Sequence, residues 1–397
     1  MNASRMMILA GVTTLLVAAM AFLRQSDSEI EKASAEVREF AWSWYEPNIV
    51  PWKNEKIETD LAGVHQPQIH MGPDEELVVQ ARERLYHSLD GGRTWKTLCS
   101  TPPGNTSGVA ILRDGTFLLA TNVQHGYEKH PYRSERYTIR SFTYRSKDRG
   151  KTWSPAFELD PWPYDGVGTD ASIRFHEHED GTIYYPVSTT RIARPGKPLT
   201  KPNWYFAAQL YVSLDGGRTF RSRANMGKWT CEADLLSLDD DELLASIRYQ
   251  TPGEGLWPRY KQTAISRSTD GGRTWTIPRI VTGFLQQTGC LVQLSDGTIV
   301  LPFSHKDEGF GQRFLVSYDR GHTWSKTIFE LNRGGMFASS VTLSDDTIVT
   351  VFEDRSRDRK LTILRWKIPS REEVKSGGFF TPPPVDLDRM YSIHYAH

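Results

Sequence analysis

The eight-residue turn SLDGGRTW recurs five times along the chain, and this repetition restricts the possible folds more than any other feature. The other copies read SKDRGKTW, SLDGGRTF, STDGGRTW and SYDRGHTW, and the aspartates at their third position are Asp90, Asp148, Asp215, Asp270 and Asp319. Such regular returns are typical of one repeated structural unit. In each copy the aspartate can accept backbone hydrogen bonds, glycine supplies a positive φ, and the aromatic ring can anchor the turn between sheets. We therefore interpret the repeated aspartates as structural.

A second type of tight turn lies between two strand-like runs before each of the five copies, and a sixth turn of this type has no copy after it. Its sequences are PDEEL at Pro73, RDGTF at Arg113, EDGTI at Glu179, DDDEL at Asp239, SDGTI at Ser295 and SDDTI at Ser344. Aspartate turns between β-branched runs indicate hairpins. Each unit thus reads strand, aspartate turn, strand, variable loop, strand, box turn, strand. The sequence predicts an all-β fold, a six-bladed β-propeller of four-stranded antiparallel blades with five Asp-boxes. The last unit has no box, and we expect chain from the N-terminal side to complete its edge.

The two ends of the chain differ from the repeats. Residues 6–23 are apolar and uncharged, which is typical of a signal peptide or an N-terminal membrane anchor, so residues 1–25 are assigned to one of these. Either assignment predicts an exported protein, periplasmic, extracellular or membrane-anchored. Residues 26–55 are interpreted as a linker or short helix, residues 56–369 as the propeller, and the glycine- and proline-rich residues 370–397 as an extended C-terminal strap.

Composition excludes several classes of function. Lysine plus arginine and aspartate plus glutamate both number 48, so nothing in the net charge attracts nucleic acid, and membrane contact is expected only through the N-terminal segment. Three cysteines, Cys99, Cys231 and Cys290, allow at most one disulfide, and free buried thiols are the favoured interpretation. No cofactor is predicted. The histidine-rich FHEHED at Phe175 falls in a hairpin turn, so a solvated turn is favoured there over a metal site.

Five boxes of the form S-x-D-x-G-x-T-W on six four-stranded units resemble the sialidase (neuraminidase) superfamily, over roughly residues 60–368. The same box occurs in non-catalytic propellers, so the activity depends on the site. Because strands alternate in direction, the starts of first strands and the ends of second strands meet at one face, which we call the mouth. The resemblance implies a fold built around this mouth and a glycan or glycoconjugate as the partner.

Polar residues predicted at the mouth supply the candidate site. Glu232, Asp170 and His65 are the candidate catalytic residues, with the two acids as an acid/base pair and the histidine as a further proton carrier. Candidate substrate-binding residues are Arg248, Arg313, Arg191, Glu353, His305 and Gln287. The resemblance implies that Glu232 is the glutamate that partners the sialidase nucleophile. It also implies that Arg248 and Arg313 are two of three carboxylate-binding arginines, and that Glu353 supports the first arginine.

Three sialidase groups have no match in the sequence. His65-Gln66-Pro67 replaces the motif of the first arginine, ASSV places Ala338 at the tyrosine nucleophile, and the loop of the acidic aspartate is absent. Sialidases use a tyrosine as an exception to hydrolysis by two carboxylates. The sequence therefore favours an exo-glycosidase on an anionic or modified sugar. The alternatives are a non-catalytic glycan- or protein-binding propeller and a membrane-held scaffold with a plugged pore.

Overall fold

The computed structural model describes residues 47–63, 66–130, 133–162, 166–168, 174–191, 205–239, 241–251, 260–283, 285–306 and 310–385. His65 and Asp170 are outside these ranges. Among the described residues no helix is long and apolar enough to cross a membrane, and the apolar segment at residues 6–23 is also outside them.

Two short strands precede the first sheet, and antiparallel strands then follow one another in chain order. The first two are β1 (Asn48–Pro51) and β2 (Glu55–Glu58). The first group is β3 (Gln68–Met71), β4 (Leu77–Ala81), β5 (Arg84–Ser88) and β6 (Lys96–Ser100). The second is β7 (Asn105–Ile111), β8 (Phe117–His130), β9 (Arg133–Ser146) and β10 (Phe157–Glu158). The third is β11 (Gly166–Val167), β12 (His176–Glu177), β13 (Ile183–Arg191), β14 (Tyr205–Ser213) and β15 (Arg221–Lys228).

The remaining groups repeat this order. The fourth is β16 (Thr230–Ser237), β17 (Leu243–Thr251), β18 (Tyr260–Ser268) and β19 (Arg279–Ile280). The fifth comprises β20 (Gln286–Gly289), β21 (Val292–Gln293), β22 (Ile299–His305), β23 (Gly311–Ser317), β24 (Trp324–Ser325) and β25 (Thr327–Arg333). The sixth is β26 (Gly335–Thr342), β27 (Ile348–Asp354) and β28 (Lys360–Trp366). A helix, α1 (Arg371–Ser376), and the strand β29 (Phe379–Phe380) follow.

Chain from the N-terminal side completes the last two groups. Strand β2 pairs antiparallel with β28, as the sequence predicted for the unit without a box. Strand β1 pairs parallel with β25, although its residues were interpreted as linker. A four-residue strand that includes Pro51 and pairs with a strand about 280 positions later gives no local signal in the sequence.

The C-terminal segment differs from an extended strap at its start. Ser370 caps α1 with a capping box, in which the serine side chain accepts from the backbone of Glu373 and the glutamate side chain accepts from the backbone of Ser370. Beyond the helix, β29 pairs with β24, and Pro384 forms an isolated bridge with Arg279, the first residue of β19. The chain therefore runs back from the sixth group across the fifth to the fourth.

Apolar clusters lie between neighbouring strand groups. One cluster joins Ile69 and Val79 of the first group to Val341 and Ile363 of the sixth. Other clusters lie between the first and second groups, the second and third, the third and fourth, and the fifth and sixth. This is the arrangement of a propeller, in which sheets pack face to face around an axis.

The repeated turns have one hydrogen-bond pattern. In the first copy, Ser88 Oγ donates to Asp90 Oδ1 at 2.7 Å, and Thr94 donates to Asp90 through its backbone N at 2.9 Å and its hydroxyl at 2.6 Å. Although burial raises it, the pKa of Asp90 falls to about 2 because of these hydrogen bonds. The same serine and threonine contacts recur at Asp148, Asp215, Asp270 and Asp319. The aspartates therefore stabilise the turns.

Candidate functional site

The mouth is shaped by β-bulges at the starts of first strands. The residues Gln66, Glu232, Thr288 and Phe337 all have a positive φ, and the pairing of β16, β20 and β26 shifts register at the last three. Non-glycine residues rarely adopt this conformation, and bulges commonly redirect side chains at functional sites. The same type of bulge thus presents one side chain at the mouth from each of the fourth, fifth and sixth groups.

Glu232 is almost fully buried, and both of its carboxylate oxygens have partners. One oxygen forms an ion pair with Arg248 Nη1, and the other accepts a hydrogen bond of 2.6 Å from the hydroxyl of Thr288. The backbone N of Glu232 donates to Ser188 Oγ at 3.0 Å, which ties the residue to the neighbouring third group. These contacts hold the carboxylate in one orientation.

Two lysines surround the Glu232–Arg248 pair. Lys261 is the second residue of β18, and Lys306 directly follows β22, so both lie at the mouth ends of their strands. Burial, with repulsion from Arg248 and Lys306, lowers the pKa of Lys261 to about 8. Burial and repulsion from Arg248 also lower the pKa of Lys306. We call Arg248, Lys261 and Lys306 the cationic patch.

A second charged cluster forms around Glu330 of β25. Arg313 donates to Glu330 from Nε at 3.3 Å and Nη2 at 3.1 Å, and Arg333 donates at 2.8 Å. His305, which is fully buried, has Nε2 at 3.8 Å from the same carboxylate. Although burial opposes the charge, hydrogen bonds from Arg333 and Arg313 hold the pKa of Glu330 below its usual range. Arg313 and His305 are therefore together, but their described contacts are with Glu330.

Glu353 and Gln287 are the other predicted residues whose side chains are described. Glu353 is buried, with Arg359 Nε at 3.2 Å and Arg355 Nε at 3.8 Å. Gln287 is completely buried, and neither its amide nitrogen nor its oxygen has a hydrogen-bond partner in the described structure. Its neighbour Thr288, which the sequence did not single out, is the residue that contacts Glu232.

The other candidates have no described side chain. His65 and Asp170 lie outside the described residues, so the proposed acid/base pair of Asp170 and Glu232 stays a prediction. Arg191 is the last residue of β13, where its backbone pairs with Tyr205, and nothing further is described for it.

In the histidine-rich hairpin, on the far side from the mouth, two histidine rings contact the same serine of the neighbouring strand β16. His176 Nε2 lies 2.8 Å and His178 Nδ1 lies 3.1 Å from Ser237 Oγ. Within the described ranges no group of three or more histidine, cysteine, aspartate or glutamate residues is arranged to hold a metal ion.

Comparison with known proteins agrees with the predicted resemblance. A family model described as a BNR repeat-like domain matches residues 129–289. A sialidase of Bacteroides fragilis (strain YCH46) is 24% identical over 282 residues, which are 61% of this chain and 47% of the relative. The chain therefore spans about half the length of that curated relative.

Solved structures show the same fold. A protein of unknown function from Dyadobacter fermentans DSM 18053 matches with a TM-score of 0.62 and 18% identity, covering 79% of this chain and 98% of its own. The Hadza microbial sialidase Hz136 matches with a TM-score of 0.57 and 17% identity, over 79% and 68%. A Trypanosoma rangeli sialidase in complex with 2,3-difluorosialic acid matches at 0.53 and 14%, over 81% and 59%. The resemblance to the sialidase/BNR-repeat superfamily is confirmed.

Compared with the sialidase pattern, the nucleophile position is the clearest departure. Ala338, which the motif comparison placed there, packs in the apolar cluster between the fifth and sixth groups. Phe337 is the residue at the bulge equivalent to Glu232 and Thr288, and its ring lies 5.6 Å from the Lys306 ammonium. Neither residue carries the hydroxyl of the sialidase tyrosine.

Sequence reasoning missed the two lysines of the cationic patch. It considered the starts of first strands and the ends of second strands, whereas Lys261 is at the start of a third strand. Lys306 directly follows His305, which was named. Extending the same topological rule to the starts of third strands, which meet at the same face, would have found Lys261.

Proposed function

We propose that the protein is an exported carbohydrate-active enzyme of the sialidase superfamily, an exo-glycosidase acting on an anionic or modified sugar. The observation that carries the proposal is the buried Glu232 carboxylate, which is fixed beside the cationic patch at the mouth. Cations bind an acidic sugar, and a carboxylate transfers protons, so the two requirements of such a reaction lie together.

The proposed scaffold is a ring of six four-stranded blades with five Asp-boxes. The packing of the sixth strand group on the first and the completion of the sixth group by β2 support this count. A closed ring fixes the relative positions of strand ends that are distant in sequence, which is what a multi-residue site at the mouth requires.

In the proposed reaction Glu232 is a proton carrier, and Arg248 binds the acidic substituent of the sugar. Arg313 is a second candidate for this binding, although its described partner is Glu330. Phe337 and Ala338 supply no tyrosine nucleophile, so water would attack the anomeric carbon while one group accepts a proton from it and another protonates the leaving oxygen. Glu232 is one of these proton carriers, and a second is needed. Asp170 and His65 are the candidates for that role.

Export is part of the proposal because of residues 6–23. Their apolar, uncharged sequence suits either a cleaved signal peptide or a membrane anchor, and both place the folded part outside the cytoplasm.

A non-catalytic glycan-binding propeller is the second candidate. The contacts of Glu232 favour it, because an ion pair with Arg248 and a hydrogen bond from Thr288 satisfy the carboxylate without any substrate. A binding protein would need the cationic patch but not a free base.

The test is turnover of chromogenic glycosides, including a sialoside, several uronides and their neutral counterparts, by the full chain and by Glu232→Gln and Arg248→Ala. Matched controls are Glu372→Gln on α1 and Arg221→Ala at the start of β15, both exposed and away from the mouth. Turnover of one glycoside that is lost in both site variants and kept in both controls supports an enzyme. Saccharide binding without turnover supports the binding protein, and turnover unchanged by Glu232→Gln removes this residue from the mechanism.

A further inference from the structure

Thr288 is the residue of the fifth group whose side chain reaches Glu232 in the fourth group. Its hydroxyl donates to Glu232 Oε2 at 2.6 Å, and both residues lie at β-bulges with a positive φ, 60° for Thr288 and 46° for Glu232. A β-branched residue in this conformation is an outlier, and it persists only where the surrounding structure holds it. Two strained residues that contact each other therefore indicate a geometry that serves the site.

The two carboxylate oxygens of Glu232 differ in their contacts. Oε2 accepts the hydrogen bond from Thr288, whereas Oε1 faces Arg248 Nη1 in an ion pair but accepts no hydrogen bond from any described residue. The ion pair compensates the charge, yet the glutamate is 1% exposed, so Oε1 is a buried acceptor that lacks a hydrogen-bond donor. Buried polar atoms without a hydrogen bond are rare, and a catalytic role is one explanation for such an atom.

The direction of the Thr288 hydrogen bond restricts what Glu232 does. A threonine hydroxyl has one proton, and here this proton is donated to Oε2. Thr288 and Arg248 are both donors, and an ionised carboxylate is only an acceptor. The site is thus arranged around a carboxylate that receives a proton, and Oε1 is the oxygen left to receive it.

Resting on the proposed function, we propose that Thr288 is a positioning residue for Glu232. It holds Oε2, and Oε1 is then the atom that accepts a proton from the attacking water. As the water oxygen bonds to the anomeric carbon, one of its protons passes to Oε1, and the bond to the leaving oxygen breaks while the second proton carrier protonates that oxygen. The acid is therefore a group other than Glu232.

Kinetics of Thr288 variants of the full chain test this role. Thr288→Val removes the hydroxyl but keeps the β-branched shape, Thr288→Ser keeps the hydroxyl, and Thr288→Gly removes it while relieving the positive φ. The control is Thr350→Val, since Thr350 is also fully buried and its hydroxyl lies 2.8 Å from Ser340 Oγ within the sixth group. The chromogenic glycosides named above are the substrates, thermal unfolding checks folding, and crystal structures of each variant show where the Glu232 carboxylate lies.

We expect Thr288→Val and Thr288→Gly to lose about 10- to 100-fold in kcat, as for a reacting group displaced by about 1 Å, with KM little changed. Thr288→Ser retains most of kcat. Thr350→Val loses stability without losing kcat, which separates positioning from a merely structural hydrogen bond. In the crystal structures of the valine and glycine variants, the Glu232 carboxylate is rotated from its wild-type position.

Wild-type kcat in both Thr288→Val and Thr288→Gly overturns the proposal, as does a Thr288→Ser variant no more active than Thr288→Val, or an unmoved Glu232 carboxylate. Failure of the proposed function gives a different result. If the wild type turns over none of the glycosides, the enzyme is refuted and so is the base at Glu232. Turnover that is lost in Glu232→Gln but kept in the Thr288 variants leaves the enzyme standing and refutes the positioning role.

Discussion

Replacement of Arg174 by methionine is expected to destabilise the propeller more than any exposed ion-pair change. Arg174 precedes β12 and forms a two-point ion pair with Asp234 of β16, Nη2 to Oδ2 at 2.6 Å and Nε to Oδ1 at 3.1 Å. It also donates to the backbone oxygens of Leu291, at 3.0 Å, and Ser340. A single side chain thus links the third, fourth, fifth and sixth strand groups.

The magnitude follows from burial. The side chains of Arg174 and Asp234 are 13% and 2% exposed, so removing the arginine leaves a buried carboxylate without its ion-pair partner. Breaking a buried ion pair in this way costs about 3–5 kcal/mol. Since proteins are stable by about 5–15 kcal/mol, this is a large fraction of the free energy of unfolding.

Urea unfolding followed by tryptophan fluorescence measures the change. The control is Arg93→Met, because the Arg93–Glu55 pair is half exposed at 3.4 Å and such pairs contribute about 0–1 kcal/mol. The double variant Arg174→Met with Asp234→Leu removes the orphaned charge and should recover part of the loss. A loss below about 1 kcal/mol in the single variant, or a double variant no better than the single, would refute the reasoning.

Three further changes have definite expected outcomes. Ser370→Ala removes the capping box of α1 and should cost about 1 kcal/mol in urea unfolding, while an unchanged midpoint would mean that tertiary contacts alone hold the helix. Burial raises the pKa of the fully buried Cys290 to about 12 and that of the half-buried Cys99 to about 11, so iodoacetamide at pH 8 should label both thiols slowly until the protein unfolds. Rapid labelling of native Cys290 would contradict its burial. Hydrogen bonds, first of all from Thr152, lower the pKa of Asp148 from 3.8 to about 2. The stabilising contribution of Asp148 is therefore complete above about pH 4 and is lost as the pH falls toward 2. Thermal unfolding between pH 5 and 2 should show a smaller acid-induced loss of stability in Asp148→Asn than in the wild type, and an equal loss would contradict this contribution.

The repeated unit was readable from the sequence because it depends on local chemistry. The aspartate turns and the boxes fix where strands end, and the structure places hairpins and the serine and threonine contacts of Asp148 at those positions. The completion of the sixth group by β2 was also predicted, since a missing box left one edge to be explained. Strand β1 and helix α1 were missed, the first because its partner β25 is distant and the second because nearby glycine and proline hid the Ser370 capping box.

Less of the candidate site could be predicted from the sequence, because the site depends on which side chains meet across strands. Strand order placed Glu232 and Arg248 at the mouth, and the sialidase resemblance gave them separate roles. The structure brings the two residues together in an ion pair, which was not predicted. The association of Arg313 with Glu330 depends on the register of β23 against β25, which no sequence pattern supplies. The two lysines of the cationic patch were missed because a lysine at either end of a strand ordinarily faces solvent. Their burial becomes visible only when the neighbouring groups are packed.

The ion pair of Glu232 places a condition on any chemistry at the mouth. While Arg248 and Thr288 occupy both carboxylate oxygens, Glu232 is poorly placed to accept a proton. In the proposed enzyme, an anionic sugar that drew the Arg248 guanidinium toward itself would weaken this pair and free one oxygen. Substrate charge and the activity of Glu232 would then be coupled. A neutral sugar lacks this effect. An enzyme with this arrangement should therefore discriminate between charged and uncharged sugars in the rate of the chemical step as well as in affinity. A binding protein with the same contacts would discriminate in affinity alone.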